Sequence, residues 1–298
     1  MSNNDFKSIY ERACAYPFVN DGMFATSSVV SIETGAVTPI HDAVGILTSP
    51  FARQLSGTDI LLPGYNLDFS SGLNLTDRIA VIAIGSNSSP DVLIKKFRDA
   101  NIGGDFFIAQ ASIENHAVVH GAFLGAAGTV PATLVPHGKS LTNITVSFLT
   151  TEQAEKLTGT EPNYDLVKTA TRILTRGLAN NPVVAPGALA YVSPWSALSI
   201  DGLSPLAVSA IPSETTLQKM HSTDAAAYVT RLLAPDQTAE HFFNSLDLSI
   251  EARLIANYKL QSGSITSCIA GQQVKAATIS QEAEKRGLPV PKIHYRSY

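Results

Sequence analysis

The clearest hydrophobic pattern in the chain is an unbroken apolar run from Ile79 to Ile84. A run of this kind is typical of a strand that is buried on both faces. It ends at three small or polar residues, which we call the GSN turn: Gly85, Ser86 and Asn87. A helix is expected directly after this turn, because Ser88 or Ser89 can cap it and Pro90 suits its first turn. Apolar residues then recur at helical spacing at Val92, Leu93, Ile94 and Phe97.

Residues 106–148 alternate between apolar and polar positions in the manner of strands. Four short strands are expected, separated by Gly, Pro and Asn, at 106–113, 116–124, 131–138 and 143–150. Thr150 and Gln153 fit a capping box, so a helix is expected over 151–158. The apolar segment 187–192 indicates one more buried strand.

The flanking regions differ from this centre. Residues 5–16 have helical spacing, and the stretch to residue 77 predicts irregular chain with short strands. Helical composition returns after residue 200, over 213–234, 238–261 and 279–287. The fold class is therefore α+β. Three regions are expected: an N-terminal extension (1–77), a β-rich core (78–199) and a mainly helical C-terminal region (200–298).

Composition narrows the function classes. The chain has 298 residues, of which 45% are hydrophobic and 15% charged, and its net charge is −4. This acidic balance, without a basic run, argues against nucleic-acid binding. The first residues lack the apolar core of a secretory signal, and the apolar stretches are shorter than the ~20 residues of a membrane span. We expect a cytoplasmic protein that does not bind membranes.

Cys14 and Cys268 stand far apart in the sequence. Free thiols are the favoured interpretation, and one long-range disulfide stays open. His116 and His120 are four residues apart on an expected strand, and His137 falls in an expected turn, so no metal-site spacing is present.

Two features can carry chemistry. The GSN turn leads into a helix N-terminus, where free N–H groups can hold a carboxylate or an oxyanion. An ordinary strand-to-helix turn is the alternative, and the P-loop and dinucleotide-binding glycine patterns are missing. Glu161 lies between small or restrictive residues after the 151–158 helix. It can act as a general acid and base if a pocket desolvates it, or it can be a solvated loop carboxylate.

The order of several motifs is more specific than each motif alone. Ile84 and the GSN turn are followed by Pro90, Leu93 and Phe97, and later by the strand Pro131–Pro136 (PATLVP). Leu149–Leu157 (LTTEQAEKL) comes next, with Glu161 four residues later and Tyr164 just beyond. Over residues 78–192, this order resembles the γ-glutamylcyclotransferase-like family, which includes the AIG2-like proteins.

The resemblance implies a small mixed β-barrel flanked by helices, with the mainly helical C-terminal region as an extension. It implies that Ile84, the GSN turn and Tyr164 bind a small γ-glutamyl compound or related amide, while Glu161 transfers a proton as the catalytic residue. In the family's reaction the α-amine of the substrate attacks its γ-carbonyl, an amine leaves, and 5-oxoproline forms. This amine-expelling lyase or transferase chemistry needs no cofactor and no metal. Whether the protein forms a homo-oligomer stays open.

A second hypothesis is a non-catalytic ligand-binding or assembly protein that keeps the barrel. It is motivated by Ile84, which stands where the family has an aromatic residue, and by the large C-terminal region. A pterin pyrophosphokinase, which also begins with a strand and a GSN turn, is a more remote alternative, because its acidic metal-binding pair is not evident here.

Overall fold

The computed structural model describes residues 7–18, 27–39, 78–169, 173–175, 188–261 and 272–274. These residues form an α+β structure in which a mainly antiparallel sheet is flanked by helices. The described helices are α1 (Ile9–Ala15), α2 (Pro90–Arg98), α3 (Thr151–Gly159), α4 (Ser222–Leu233), α5 (Ala239–Asn244) and α6 (Ile250–Gln261). The described strands are β1 (Ser28–Ser31), β2 (Val37–Pro39), β3 (Ile79–Ala83), β4 (Asp105–His120), β5 (Ala132–Leu149), β6 (Asp165–Lys168), β7 (Ile173–Thr175), β8 (Leu189–Val192), β9 (Ala207–Val208), β10 (Ser213–Glu214), β11 (Lys219–Met220) and β12 (Gln272–Val274).

The predicted strand, turn and helix around the GSN turn are confirmed. Strand β3 is buried on both faces, since Val81 packs in a cluster with residues of α2 and α3, and Ile82 packs in another cluster with residues of β4 and β5. Ser89 is the N-cap residue of α2, and Pro90 is its first residue. The apolar side of α2 therefore faces the sheet, and the GSN turn is fixed at the end of a central strand.

The four short strands expected over residues 106–150 are two long ones. Strands β4 and β5 pair antiparallel from Phe107 opposite Phe148 to His120 opposite Ala132. The gap predicted between the strands 106–113 and 116–124 is an irregularity inside β4. It lies between Glu114 and His116, where Asn115 has a φ of 55°. Such a bulge bends a strand without ending it, so polar residues that resemble turn signals lie inside a continuous ladder.

The described strands do not close into the expected barrel. Their pairing runs in the order β11-β9-β4-β5-β3-β8-β6-β12, and no pairing joins its two ends. The edge of β4 that faces away from β5 is occupied in turn by β1, β7 and β9. These short strands extend the described sheet at β4, while β11 and β12 at the ends of the order stay unpaired with each other.

The capping box at Thr150 is confirmed. The Thr150 hydroxyl accepts a hydrogen bond from the Gln153 N–H at 3.1 Å, and the Gln153 side chain accepts one from the Thr150 N–H at 3.0 Å. This box begins α3, which packs on the same sheet face as α2. Thr160 is the C-cap residue of α3, so Glu161 lies two residues beyond the last helical residue, Gly159.

The C-terminal region contains helices, but their bounds differ from the predicted ones. The predicted helix 213–234 begins only at Ser222, because β10 pairs with β5 and β11 pairs with β9. The predicted helix 238–261 is two helices, and between them Asp247 accepts hydrogen bonds from the N–H and hydroxyl of Ser249. The predicted helix 279–287 lies outside the described residues, as does Cys268.

The N-terminal helix is confirmed as α1, and β1 with β2 are short strands within the expected irregular stretch. Residues 40–77 lie outside the described residues. Cys14 carries a free thiol and is partly buried. Among the described helices, none combines the length and the apolar character that crossing a membrane requires.

Candidate functional site

The GSN turn is a half-buried 3₁₀ turn at the end of β3. Ser88 N–H donates to the Gly85 carbonyl at 2.9 Å, and Ser89 N–H donates to the Ser86 carbonyl at 3.1 Å. The N–H groups of Gly85, Ser86 and Asn87 have no acceptor among the described residues. Backbone donors of this kind, at a turn that leads into a helix, can hold the oxygen of a carboxylate or a carbonyl.

Glu161 lies against the GSN turn although 74 residues separate it from Asn87. The Asn87 Nδ2 group donates to Oε1 of Glu161 at 2.9 Å. The Glu161 side chain is 14% exposed. The structure therefore brings together the two features that the sequence singled out, and the carboxylate does not point into bulk water.

A lysine that the sequence analysis did not single out completes this contact. The Lys96 ammonium lies 2.8 Å from Glu161 Oε1 and donates to the Asn87 side-chain oxygen at 2.7 Å and to the Thr160 hydroxyl at 2.9 Å. All three N–H groups of the ammonium are thus used inside the site. Lys96 fixes Asn87 and Glu161 relative to each other and balances the carboxylate charge.

The two carboxylate oxygens of Glu161 have different surroundings. Oε1 lies near Lys96, Asn87 and Thr160, the last at 3.3 Å. The Thr160 hydroxyl also lies 2.7 Å from the Leu157 carbonyl, and its single hydrogen can serve only one of these acceptors. Oε2 accepts no hydrogen bond from the described residues, so this oxygen is available to receive a proton from a ligand.

Two tyrosine hydroxyls contact the backbone of the same residue, Ala132, beside the GSN turn. Tyr164 donates to the Ala132 carbonyl at 3.1 Å, and the Tyr16 hydroxyl accepts from the Ala132 N–H at 3.0 Å. Ala132 is the first residue of β5 and belongs to the PATLVP segment of the sequence analysis. The Tyr164 hydroxyl hydrogen is thus engaged, and its oxygen can still accept a bond. Ile84 is 8% exposed and packs in the same cluster as Tyr16.

The negative charge of Glu161 acts on three buried tyrosines. Burial raises the pKa of Tyr16, Tyr164 and Tyr191 above the ordinary tyrosine value, and the Glu161 carboxylate raises each pKa further. Tyr191 shares a 2.8 Å hydrogen bond with the Thr158 hydroxyl. The site therefore combines one carboxylate with neutral phenols, which can donate hydrogen bonds but carry no charge.

Sequence reasoning missed Lys96, Tyr16 and Tyr191 as neighbours of Glu161. One signal could have found Lys96. At about 100° per residue, it falls between Val92 and Leu93 around α2, on the apolar side of the helix. A lysine there needs a buried partner, in contrast to Lys95, which pairs with Asp99 at the surface. Tyr16 carried no such signal, because its neighbours lie far away in the sequence.

The described residues contain no group of three or more His, Cys, Asp or Glu side chains that could hold a metal ion. The chemistry that this arrangement can perform is binding of an oxygen at the GSN turn and transfer of a proton at Glu161. No protein-family model, no curated protein and no solved structure matches the chain.

Proposed function

We propose that the chain is a γ-glutamylcyclotransferase-like enzyme that acts on a small γ-glutamyl compound or a related amide. The observation that carries this proposal is the 2.9 Å hydrogen bond from Asn87 to Glu161, which unites the GSN turn with a carboxylate from a distant segment. The resemblance over residues 78–192 supplies the ligand class. The proposal includes the cytoplasmic location that the sequence predicts.

In the proposed reaction, the neutral α-amine of the substrate attacks its own γ-carbonyl carbon. The GSN turn N–H groups stabilise the negative charge that develops on the carbonyl oxygen. Glu161 Oε2 takes a proton from the attacking nitrogen and returns it to the leaving amine. One C–N bond forms and one breaks, so the products are 5-oxoproline and a free amine, without a redox change or a cofactor.

A panel assay tests this proposal. The purified protein is incubated with γ-glutamyl amino acids, γ-glutamyl amines and glutathione, and 5-oxoproline is quantified. We expect turnover of at least one member. Glu161→Gln should lower kcat by about 10²–10⁴-fold, because a side-chain amide cannot exchange the proton.

The matched control is Glu152→Gln, which alters an exposed glutamate in the first turn of α3. We expect its kcat to stay within about two-fold of the wild-type value, since Glu152 does not line the site. Equal kcat values for the two variants would contradict the role of Glu161.

One observation favours the second candidate, a non-catalytic ligand-binding or assembly protein. The Lys96–Glu161 ion pair, at 2.8 Å, gives the carboxylate a structural function that needs no turnover. In that case, small carboxylates or amides would bind at the GSN turn, and no panel member would yield 5-oxoproline.

A further inference from the structure

Tyr16, one of the described residues of the N-terminal region, lies directly against Gly85 of the GSN turn. A Cβ atom added at Gly85 would clash with the Tyr16 hydroxyl and lie 3.3 Å from its ring carbon Cζ. The Tyr16 side chain is only 7% exposed. Glycine at position 85 is thus required by the close approach of this phenol.

The hydroxyl of Tyr16 keeps one hydrogen-bonding function unused. Its oxygen accepts the Ala132 N–H at 3.0 Å, but its hydrogen has no acceptor among the described residues. The other two tyrosines of the site differ, because Tyr164 donates to a carbonyl and Tyr191 bonds to Thr158. A buried donor without an acceptor costs free energy, which a ligand oxygen would recover.

Tyr16 is fixed in this position from several sides. Ala13 of α1 packs in one cluster with residues of α4 and α5, including Ala225 and Phe243. The Ser222 hydroxyl, at the first residue of α4, donates to the Tyr16 carbonyl. The Tyr16 ring also lies edge-on to Phe18, with 5.5 Å between the ring centres. Its phenol is therefore preorganised beside the turn.

We propose that Tyr16 is a ligand-binding residue of this site, whose hydroxyl donates a hydrogen bond to an oxygen of a small carboxylate or amide held at the GSN turn. This inference rests on the ligand class of the proposed function, and it adds a contact that the resemblance does not supply. The N-terminal region is then part of the site, and the phenol lies beside the turn that Ile84 precedes.

The test is a binding titration that does not depend on turnover. The probes are 5-oxoproline, propionate and propionamide, and the readout is the amide resonances of the GSN turn in ¹⁵N-labelled protein. Tyr16→Phe should raise the dissociation constant of at least one probe about ten-fold, the effect of one lost hydrogen bond. Tyr228→Phe removes a half-buried hydroxyl that donates to the Ser199 carbonyl outside the site, and it should change the dissociation constant by less than about two-fold. Equal effects of the two variants would overturn the proposal.

A second measurement tests the same contact if the Tyr16→Phe protein does not fold. 3-Fluorotyrosine is placed at position 16 alone, and its ¹⁹F resonance is followed as each probe is added. A shift that saturates together with the GSN amides supports the contact, and an unchanged resonance overturns it.

The outcomes for the two proposals differ. Tyr16-dependent binding of a probe without 5-oxoproline formation overturns the proposed enzyme and supports the Tyr16 contact. 5-Oxoproline formation that is unaffected by Tyr16→Phe supports the proposed enzyme and overturns the Tyr16 contact. If no probe binds, the Tyr16 contact is overturned, and 5-oxoproline formation in the panel assay still decides the proposed enzyme.

Discussion

Lys96 links the parts of the site at the scale of single residues. Its ammonium contacts Asn87 from the GSN turn and Thr160 and Glu161 from the segment after α3. None of these contacts follows from local sequence patterns, because two of the partners lie more than 60 residues away. The sequence identified Asn87 and Glu161 through motif order, and the helical position of Lys96 indicates a buried partner, but only the fold shows which partners it has.

Lys96→Met should lower the free energy of unfolding by about 1–3 kcal/mol, since it leaves partly buried acceptors of Asn87 and Glu161 without their donor. Lys95→Met is the matched control on the same helix. It removes an exposed pair with Asp99, and such pairs contribute about 0–1 kcal/mol. Urea denaturation measures both losses. A loss for Lys96→Met no larger than that for Lys95→Met would contradict the buried network.

Elements whose signals are local were predicted well. The apolar run of β3, Pro90 at the start of α2, and the capping box of α3 each depend on a few neighbouring residues. The strands β4 and β5 were predicted as fragments, because a bulge and polar residues inside a long hairpin resemble strand ends. Strands β10 and β11 were missed because they depend on pairing with distant strands, which overrides their helical composition.

The capping box gives a prediction at the scale of an element. Thr150→Ala removes the hydroxyl that accepts the Gln153 N–H, so we expect a loss of about 1 kcal/mol in the free energy of unfolding. Thr150→Ser retains an accepting hydroxyl and should lose less than half of that amount. Urea denaturation of the three proteins measures the difference. If Thr150→Ser and Thr150→Ala lower the free energy of unfolding equally, the hydroxyl cap does not stabilise α3.

At the scale of the whole molecule, the two flanking regions meet at the core. Tyr16 comes from the N-terminal region, and the Ser222 side chain that holds its carbonyl comes from the C-terminal region. No local pattern joins these two regions, because the apolar residues of short helices do not specify their partners. The site therefore depends on contacts between all three predicted regions.

His120 makes the stability of the whole molecule depend on pH. It is completely buried on β4, and its Nε2 atom lies 3.0 Å from the carbonyl of Met220 on β11. Burial lowers the pKa of His120 from 6.5 to about 4, and the bond to Met220 opposes this shift only in part. Between these two values the unfolded chain binds the proton and the folded chain does not, so stability falls as the pH falls.

The free energy of unfolding should therefore drop by about 3 kcal/mol more in the wild type than in His120→Gln between pH 6.5 and pH 4. The glutamine can donate to the same carbonyl but does not titrate. Urea denaturation across this range measures the two slopes. Equal slopes for wild type and His120→Gln would contradict a neutral, buried His120.

We propose above all that the GSN turn and Glu161 form one site, which catalyses the cyclisation of a γ-glutamyl compound to 5-oxoproline. The most direct measurement follows both products, 5-oxoproline and free amine, from the panel substrate with the highest turnover. We predict equal amounts of the two products from the wild type and from Glu152→Gln, and a loss of both with Glu161→Gln. Release of glutamate in place of 5-oxoproline, or unchanged product formation by Glu161→Gln, would contradict the claim.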